Sequence, residues 1–269
     1  VTITQMAALA QAKTFLEGRF PEAYGALQQL RYRRTLRRAF GDVAAARDLT
    51  VQAGPFQGLS YPPSVATPAR LISHALLPKL LGSYEEELHP AVSELRQHTY
   101  SRVINIGCAE GYYAIGLARV LRAPIYAFDN DAEARRLFGL MVHENGVAGH
   151  ITLGTECTPE HLQALTPERA LVISDCEGCE RFLFADSVVP HLRRSDLIIE
   201  LHDCVDPAIS RAVPARFAAT HHVEIIQRAP RNPADYPALR DMPPYSQALA
   251  VNEFRWGTIM WGIFRAKAA

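Results

Sequence analysis

The chain has 269 residues, 48% of them apolar and 21% charged, enough to bury a sizeable core and too apolar for a disordered chain. Its 28 basic residues balance 28 acidic ones, which argues against nucleic acid as a partner, because a nucleic-acid coat needs a basic excess. No run approaches the roughly 18 apolar residues that span a bilayer.

The first 20 residues mix Gln5, Gln11, Lys13 and Glu17 with apolar side chains and do not read as a signal peptide. Five cysteines, Cys108, Cys157, Cys176, Cys179 and Cys204, sit at irregular spacing and read as reduced thiols, as in a cytoplasmic protein. From Thr4 to His98 the texture is mostly helical. Arg31, Arg33, Arg34, Arg37 and Arg38 form a charged face opposite Leu36 and Ala39, which reads as a solvated helix face. A Pro/Gly-rich stretch, Ala53 to Pro63, predicts an ordered loop with embedded aromatics. Helices are expected over Ala69–Leu81 and Tyr84–His98.

From Arg102 onward, short apolar runs alternate with helical periods. Strands are expected at Arg102–Ile106, Ile125–Asp129, Ile151–Leu153, Leu171–Asp175, Leu197–Leu201, Val223–Gln227 and Thr258–Phe264. Asn130 with Glu133 predicts a capping-box helix start, and Asn145-Gly146 its stop. Trp256 and Trp261 are expected to pack a final hairpin on the sheet. Apolar strands separated by amphipathic helices predict an α/β, doubly wound, mainly parallel sheet (99–269) behind a helical N-terminal extension (1–98).

The first strand ends in Ile106-Gly107-Cys108-Ala109-Glu110-Gly111 and leads into a helix, a place where backbone N–H groups meet a ligand. A dinucleotide G-x-G-x-x-G would need glycines at positions 107, 109 and 112, which hold Gly107, Ala109 and Tyr112. The wider G-x-x-x-G turn disfavours pyrophosphate and suits a nucleoside joined to an amino acid. Asp129 ends the second strand, where an acidic side chain accepts both ribose hydroxyls.

Ile104-Asn105-Ile106-Gly107 with Gly111, then Ala127-Phe128-Asp129, resembles the first two motifs of class I S-adenosylmethionine-dependent methyltransferases. Asp175-Cys176-Glu177-Gly178-Cys179-Glu180 is similar to the D-x-E-G-x-E segment of FkbM-type methyltransferases, which mostly methylate hydroxyls of sugars and natural products. Leu197 to His202 resembles their next strand, and Gly82-Ser83-Tyr84-Glu85 their G-x-Y-E segment. Asn105 stands where many relatives carry Asp or Glu, and Asp129 where this family more often has Glu. The resemblance implies a seven-stranded Rossmann-like methyltransferase fold whose last strand is antiparallel, with the extension over the cofactor side and the Gln57–Pro63 loop as a lid. It implies S-adenosylmethionine contacts from Glu85, Asn105, Gly107, Ala109, Glu110, Gly111, Asp129, Asn130 and Asp175, and a small-molecule hydroxyl acceptor.

Transfer to a hydroxyl requires in-line alignment and removal of its proton. Asp175, Glu177 and His202 are the expected catalytic residues, with His202 as general base because its ordinary pKa of about 6.5 leaves it mostly neutral. No metal is assigned. Cys176, Cys179, His202 and Cys204 offer a soft ligand set for zinc, and Asp175, Glu200 and Asp203 an oxygen set for magnesium, and both are set aside as the weaker alternatives. Competing functions are a non-catalytic nucleoside-binding or zinc-stabilised scaffold and a nicotinamide-dependent oxidoreductase. The extension is also a candidate surface for pairing two copies.

Overall fold

A computed structural model describes residues 29–41, 49–71, 73–255, 257 and 259–267. Among these, seven strands form one sheet: β1 Arg102–Ile106, β2 Ile125–Phe128, β3 Ile151–Gly154, β4 Ala170–Ser174, β5 Asp196–Leu201, β6 His221–Gln227 and β7 Met260–Ala266. Their order is β3-β2-β1-β4-β5-β7-β6. β1 to β5 are parallel, and β7 runs antiparallel to both β5 and β6. Every residue of β4 and β5 is buried, as expected for strands covered on both faces.

The helices in chain order are α1 over 29–41, α2 Leu76–Leu81, α3 His89–Glu94, α4 Tyr112–Val120, α5 Ala132–Glu144, α6 Pro159–Leu165, α7 Glu180–Leu183, α8 Val189–Leu192, α9 Ile209–Phe217 and α10 Pro244–Ala250. Strand side chains alternate between two apolar layers. Val103, Ile173 and Ile198 join Ile115 and Leu137 of α4 and α5 in one layer. Ile104, Val172 and Ile199 meet Leu183, Val189 and Phe217 of α7 to α9 in the other.

The described part of the extension belongs to the first layer. Leu36, Phe56, Leu59 and Leu77 are each no more than 2% exposed and pack in the same cluster as Val103 and Ile115. On α1 the five arginines face outward and Leu36 and Ala39 inward, as the spacing predicts.

The two helices expected upstream are shorter and interrupted. Pro78 lacks the N–H that a longer helix would need, so α2 begins at Leu76 with Pro78 in its first turn, and Ala75 takes φ +44° before it. Pro90 likewise restarts the second segment at His89, after a 3-10 turn over Glu86–Leu88. The cap of α5 is Asp131, one residue later than expected. Its carboxylate accepts from the N–H groups of Glu133 and Ala134. β7 begins two residues beyond the expected start, and residues 1–20, Trp256 and Thr258, which carried expectations from the sequence, lie outside the described residues.

The loop expected to act as a lid is placed differently. Phe56 lies edge-on to Tyr112 and Tyr113 of α4, and a Cβ at Gly116 would meet its ring at 2.5 Å. Ser60 exchanges backbone hydrogen bonds with the Asn145 side chain, at 2.9 and 2.8 Å. The aromatics therefore fill the core beside α4, and Tyr61, 1% exposed, donates to Glu110 at 3.0 Å. The thiol expectation is also corrected at one pair: Cys176 and Cys179 are joined as a disulfide, while Cys108, Cys157 and Cys204 are free. Three-residue separation on one turn brings the two sulfurs together. No helix among the described residues is long and apolar enough to cross a membrane.

Candidate active site

The site is built at the C-terminal ends of β1, β2, β4 and β5, where the sheet's central order reverses on either side of β1. Gly107 leaves β1 with φ +70°, and a Cβ there would stand 1.8 Å from the Asp175 carbonyl oxygen. The Asp175 N–H donates to the Ile106 carbonyl at 2.9 Å, so the ends of β1 and β4 are held together at this turn. Gly111 caps α4 with φ +105°.

Asp129 ties the two neighbouring loops to each other. One carboxylate oxygen accepts from the Ala109 N–H at 2.8 Å and the other from the Asp131 N–H at 2.9 Å. Each oxygen keeps acceptor capacity for a further donor. A narrow cavity of about 320 Å³, lined by Phe128, Asp129, Asn130, Glu156 and Phe182, lies on one side. A wider one of about 600 Å³, lined by His74, Lys79, Tyr84, Glu110 and Arg255, lies on the other. Ala109, Asp129, Asp175 and Glu177 line both, so the two are ends of one groove.

Beneath the groove, strand alternation gathers a titratable cluster. The β4–β5 register pairs Ser174 with Ile199, so one step further Asp175 stands beside Glu200. His202 follows two residues later on the same face, only 4% exposed. Its Nδ1 is bonded to Glu180, which is fully buried. Its Nε2 lies 3.3 Å from Asp175 Oδ1, 3.5 Å from Glu177 Oε2 and 3.7 Å from Glu200 Oε1. Burial would lower the imidazole pKa, but the carboxylates of Asp175, Glu180 and Glu200 outweigh it and raise it to about 11.

Arg255 enters from the far side of the cluster and binds Glu200, Glu85 and the Tyr84 hydroxyl. Burial pushes Glu85 up to about 7, against the guanidinium and the Tyr113 hydroxyl that favour its ionised form. Glu200 is raised well above the usual carboxylate range by burial and by Asp175.

Gly107, Ala109, Asp129, Asn130, Asp175 and Glu177 all line the groove. Glu110, expected as a cofactor contact, also lines it, yet is only 1% exposed and held in a buried ion pair with Lys79 at 2.6 Å. Gly111 sits behind the turn as the α4 cap. Asn105 and Glu85 do not reach the groove wall. The Asn105 amide donates to the Ile173 carbonyl at 3.4 Å, and Glu85 is engaged by Arg255 and Tyr113. The soft ligand set is not assembled: Cys176 and Cys179 are joined to each other, and Cys204 is exposed.

Lys79, Arg255 and Phe182 also line the groove and were not expected there. Lys79 had a local signal, a lone cation inside Leu76-Leu77-Pro78-Lys79-Leu80-Leu81, because a lysine buried in such a run needs a partner. Arg255 had none, since its partners lie at positions 84, 85 and 200.

The Lys79–Glu110 pair makes stability depend on pH. Burial alone would raise the Glu110 pKa, and the Lys79 charge more than reverses this, so the carboxyl lies below its ordinary value. A depressed folded pKa contributes stability that is complete above the unfolded pKa of about 4.3 and lost as pH falls through the folded one. The melting-temperature gap between the wild type and Glu110→Gln is therefore expected to be full at neutral pH and to shrink below about pH 4.3. A gap that persists unchanged to pH 3 would contradict the pairing.

No family model and no curated protein matches this chain. Solved structures similar to it include an rRNA methylase from Streptococcus thermophilus, 15% identical over 67% of this chain and 97% of that one, with a TM-score of 0.47. Another is the O-methyltransferase TomG from Streptomyces achromogenes in complex with S-adenosylmethionine, 16% identical over 68% and 80%, TM-score 0.46. A third is a precorrin-6y C5,15-methyltransferase from Geobacter metallireducens, 14% identical over 70% and 88%, TM-score 0.45. The fold is Rossmann-like, of the methyltransferase type. That assignment rests on the strand order with its antiparallel seventh strand. Likeness at this level says nothing of the substrate.

Proposed function

We propose that the protein is an S-adenosylmethionine-dependent methyltransferase acting on a hydroxyl of a small molecule, in the manner of the FkbM type. The observation that carries this reading is the groove itself. It runs from the narrow end, past the Gly107 turn and the Asp129 carboxylate, to the cluster around Asp175, so a nucleoside site and a reactive end are continuous.

The residues fit the cofactor. A Cβ at Gly107 would close the turn, and its absence leaves the backbone free to approach a ligand. Asp129 would hold the ribose hydroxyls. Phe182, 68% exposed at the rim of the narrow end, offers a ring face to the adenine, with Asn130 and Glu156 beside it. Ala109 and Glu110 line the wider end, where the methionine portion would lie. When bound, the cofactor supplies an electrophilic methyl group.

The chain's own task is to align the acceptor and take its proton. His202 is poorly placed for this. The surrounding carboxylates hold the ring protonated, with Nδ1 bonded to Glu180 and Nε2 facing three carboxylates instead of the groove. Asp175 and Glu177 line the groove and present oxygen acceptors there, so they take over the role first expected of His202.

Calorimetric titration with S-adenosylmethionine, S-adenosylhomocysteine and NAD tests the cofactor. Both sulfur nucleosides are expected to bind at micromolar concentration and NAD not to bind. Asp129→Ala removes hydrogen bonds to a charged acceptor, about 1.5–3 kcal/mol, so affinity should fall roughly 10- to 100-fold. Absence of binding by either sulfur nucleoside would sink the reading.

A further inference from the structure

We propose that Asp175, Glu200 and His202 form a binding site for one divalent cation, of the class that imidazole and carboxylate ligands share, such as Zn²⁺ or Mn²⁺. One ligand atom from each lies within 4.8 Å of the others.

The spacing of His202 and Asp175 is that of two ligands around a common ion. A charge-assisted hydrogen bond from an imidazole to a carboxylate spans about 2.7–2.9 Å. Ligands about 2.1 Å from a cation, at angles between octahedral and tetrahedral, stand about 3.0–3.4 Å apart. Nε2 lies 3.3 Å from Asp175 Oδ1, within that second range, and 3.7 Å from Glu200 Oε1, the oxygen that Arg255 holds.

Independent of the spacing, one buried acceptor is unspent. Glu200 Oε2 is buried and has no hydrogen-bond partner among the described residues, and Asp175 Oδ1 faces only the His202 ring, at 3.3 Å. Glu200 is fully buried; Arg255 binds its Oε1 and leaves Oε2 over. A buried carboxyl oxygen left without a partner is costly, and a cation meeting it would hold the group ionised.

His202 carries the accompanying feature of a metal-ligating histidine. Its Nδ1 is bonded to the buried Glu180 carboxylate, an arrangement that fixes the ring and turns Nε2 toward Asp175 and Glu200, where a cation would displace the Nε2 proton. Four carboxylates, Asp175, Glu177, Glu180 and Glu200, surround this ring. Arg255, which also serves Glu85, is the one guanidinium that binds the cluster among the described residues. A dication offsets that excess.

The ligand set differs from the oxygen set visible in the sequence. Asp203 accepts from the Ser210 N–H at 2.8 Å and from its hydroxyl at 2.5 Å, and so belongs to the β5–α9 connection. His202 takes its place. Asp175 and Glu177 line the groove, so the remaining coordination positions face the acceptor end. Resting on the methyl-transfer reading, an acceptor hydroxyl entering there would be bound and made more acidic by the cation.

The full chain, treated with EDTA and exchanged into metal-free buffer, is titrated with ZnCl₂ and separately with MnCl₂ by calorimetry. Mn²⁺ binding is followed in parallel by electron paramagnetic resonance. One equivalent of at least one cation is expected to bind and to raise the melting temperature. Asp175→Asn, at a partly exposed position, should weaken binding at least tenfold, and Glu180→Gln by roughly 10- to 100-fold through the ring it orients. Glu133→Gln, an exposed acid on α5, should leave binding unchanged. No saturable uptake of either cation by the wild type overturns the proposal, and so does equal affinity in Asp175→Asn. Thermal melting in EDTA reports whether each variant is folded. An S-adenosylmethionine titration on the same samples separates the two readings: cation uptake without cofactor binding removes the methyl-transfer reading alone, and cofactor binding without cation uptake removes only the metal site.

Discussion

Gly107→Ala is expected to abolish cofactor binding and to destabilise the protein by on the order of 3 kcal/mol. The glycine holds φ +70°, a left-handed conformation that costs an L-residue about 1–2 kcal/mol. The added Cβ would stand 1.8 Å from the Asp175 carbonyl oxygen, where contacts under 3.0 Å essentially never occur. Either the turn or the end of β4 has to move. Asp175 is bonded through its N–H to Ile106 and lines the groove, so the strain reaches the groove directly. Urea unfolding with a cofactor titration measures both effects. A variant within about 1 kcal/mol of wild type that still binds would show that the turn has room to relax.

Arg255→Met is expected to cost roughly 3–5 kcal/mol, because it strips a buried cation from carboxylates that stay in place. Glu85 and Glu200 both bind Arg255, and Glu253 lies 3.5 Å from its Nε. Glu85 and Glu200 are each at most 1% exposed, so water cannot take over the neutralisation. Arg255→Lys keeps the charge and should recover part of the loss, though not the fork that spans two carboxylates and the Tyr84 hydroxyl. Chemical denaturation of the three proteins gives the ordering. A methionine variant as stable as wild type would mean that these carboxyls are neutral without the arginine.

The sheet was legible because its signals are local. Runs such as Leu171-Val172-Ile173, short and β-branched, read as strands buried on both faces, and the helical periods between them favour parallel crossovers. The turn at Gly107 and the acid at Asp129 were legible for the same reason: each follows a strand end in sequence. Disagreements arose where a distant contact outweighed local preference. Phe56 and Leu59 sit in a stretch rich in turn formers, yet the apolar face of α4 draws them into the core. Proline decided the upstream helices, since Pro78 and Pro90 remove donors that longer helices would need.

The sequence by itself determined the doubly wound sheet, the glycine turn and the acidic strand end, because period, spacing and strand–loop order are written along the chain. Tertiary structure alone decided the state of the side chains at the reactive end. His202 has an ordinary histidine's chemistry in sequence, and only the pairing of β4 with β5 surrounds it with Asp175, Glu177, Glu180 and Glu200. Arg255 and Lys79 likewise acquire their partners only when segments far apart in sequence close over the strand ends. Charge interactions depend on distance and burial, and neither is fixed until the chain has packed.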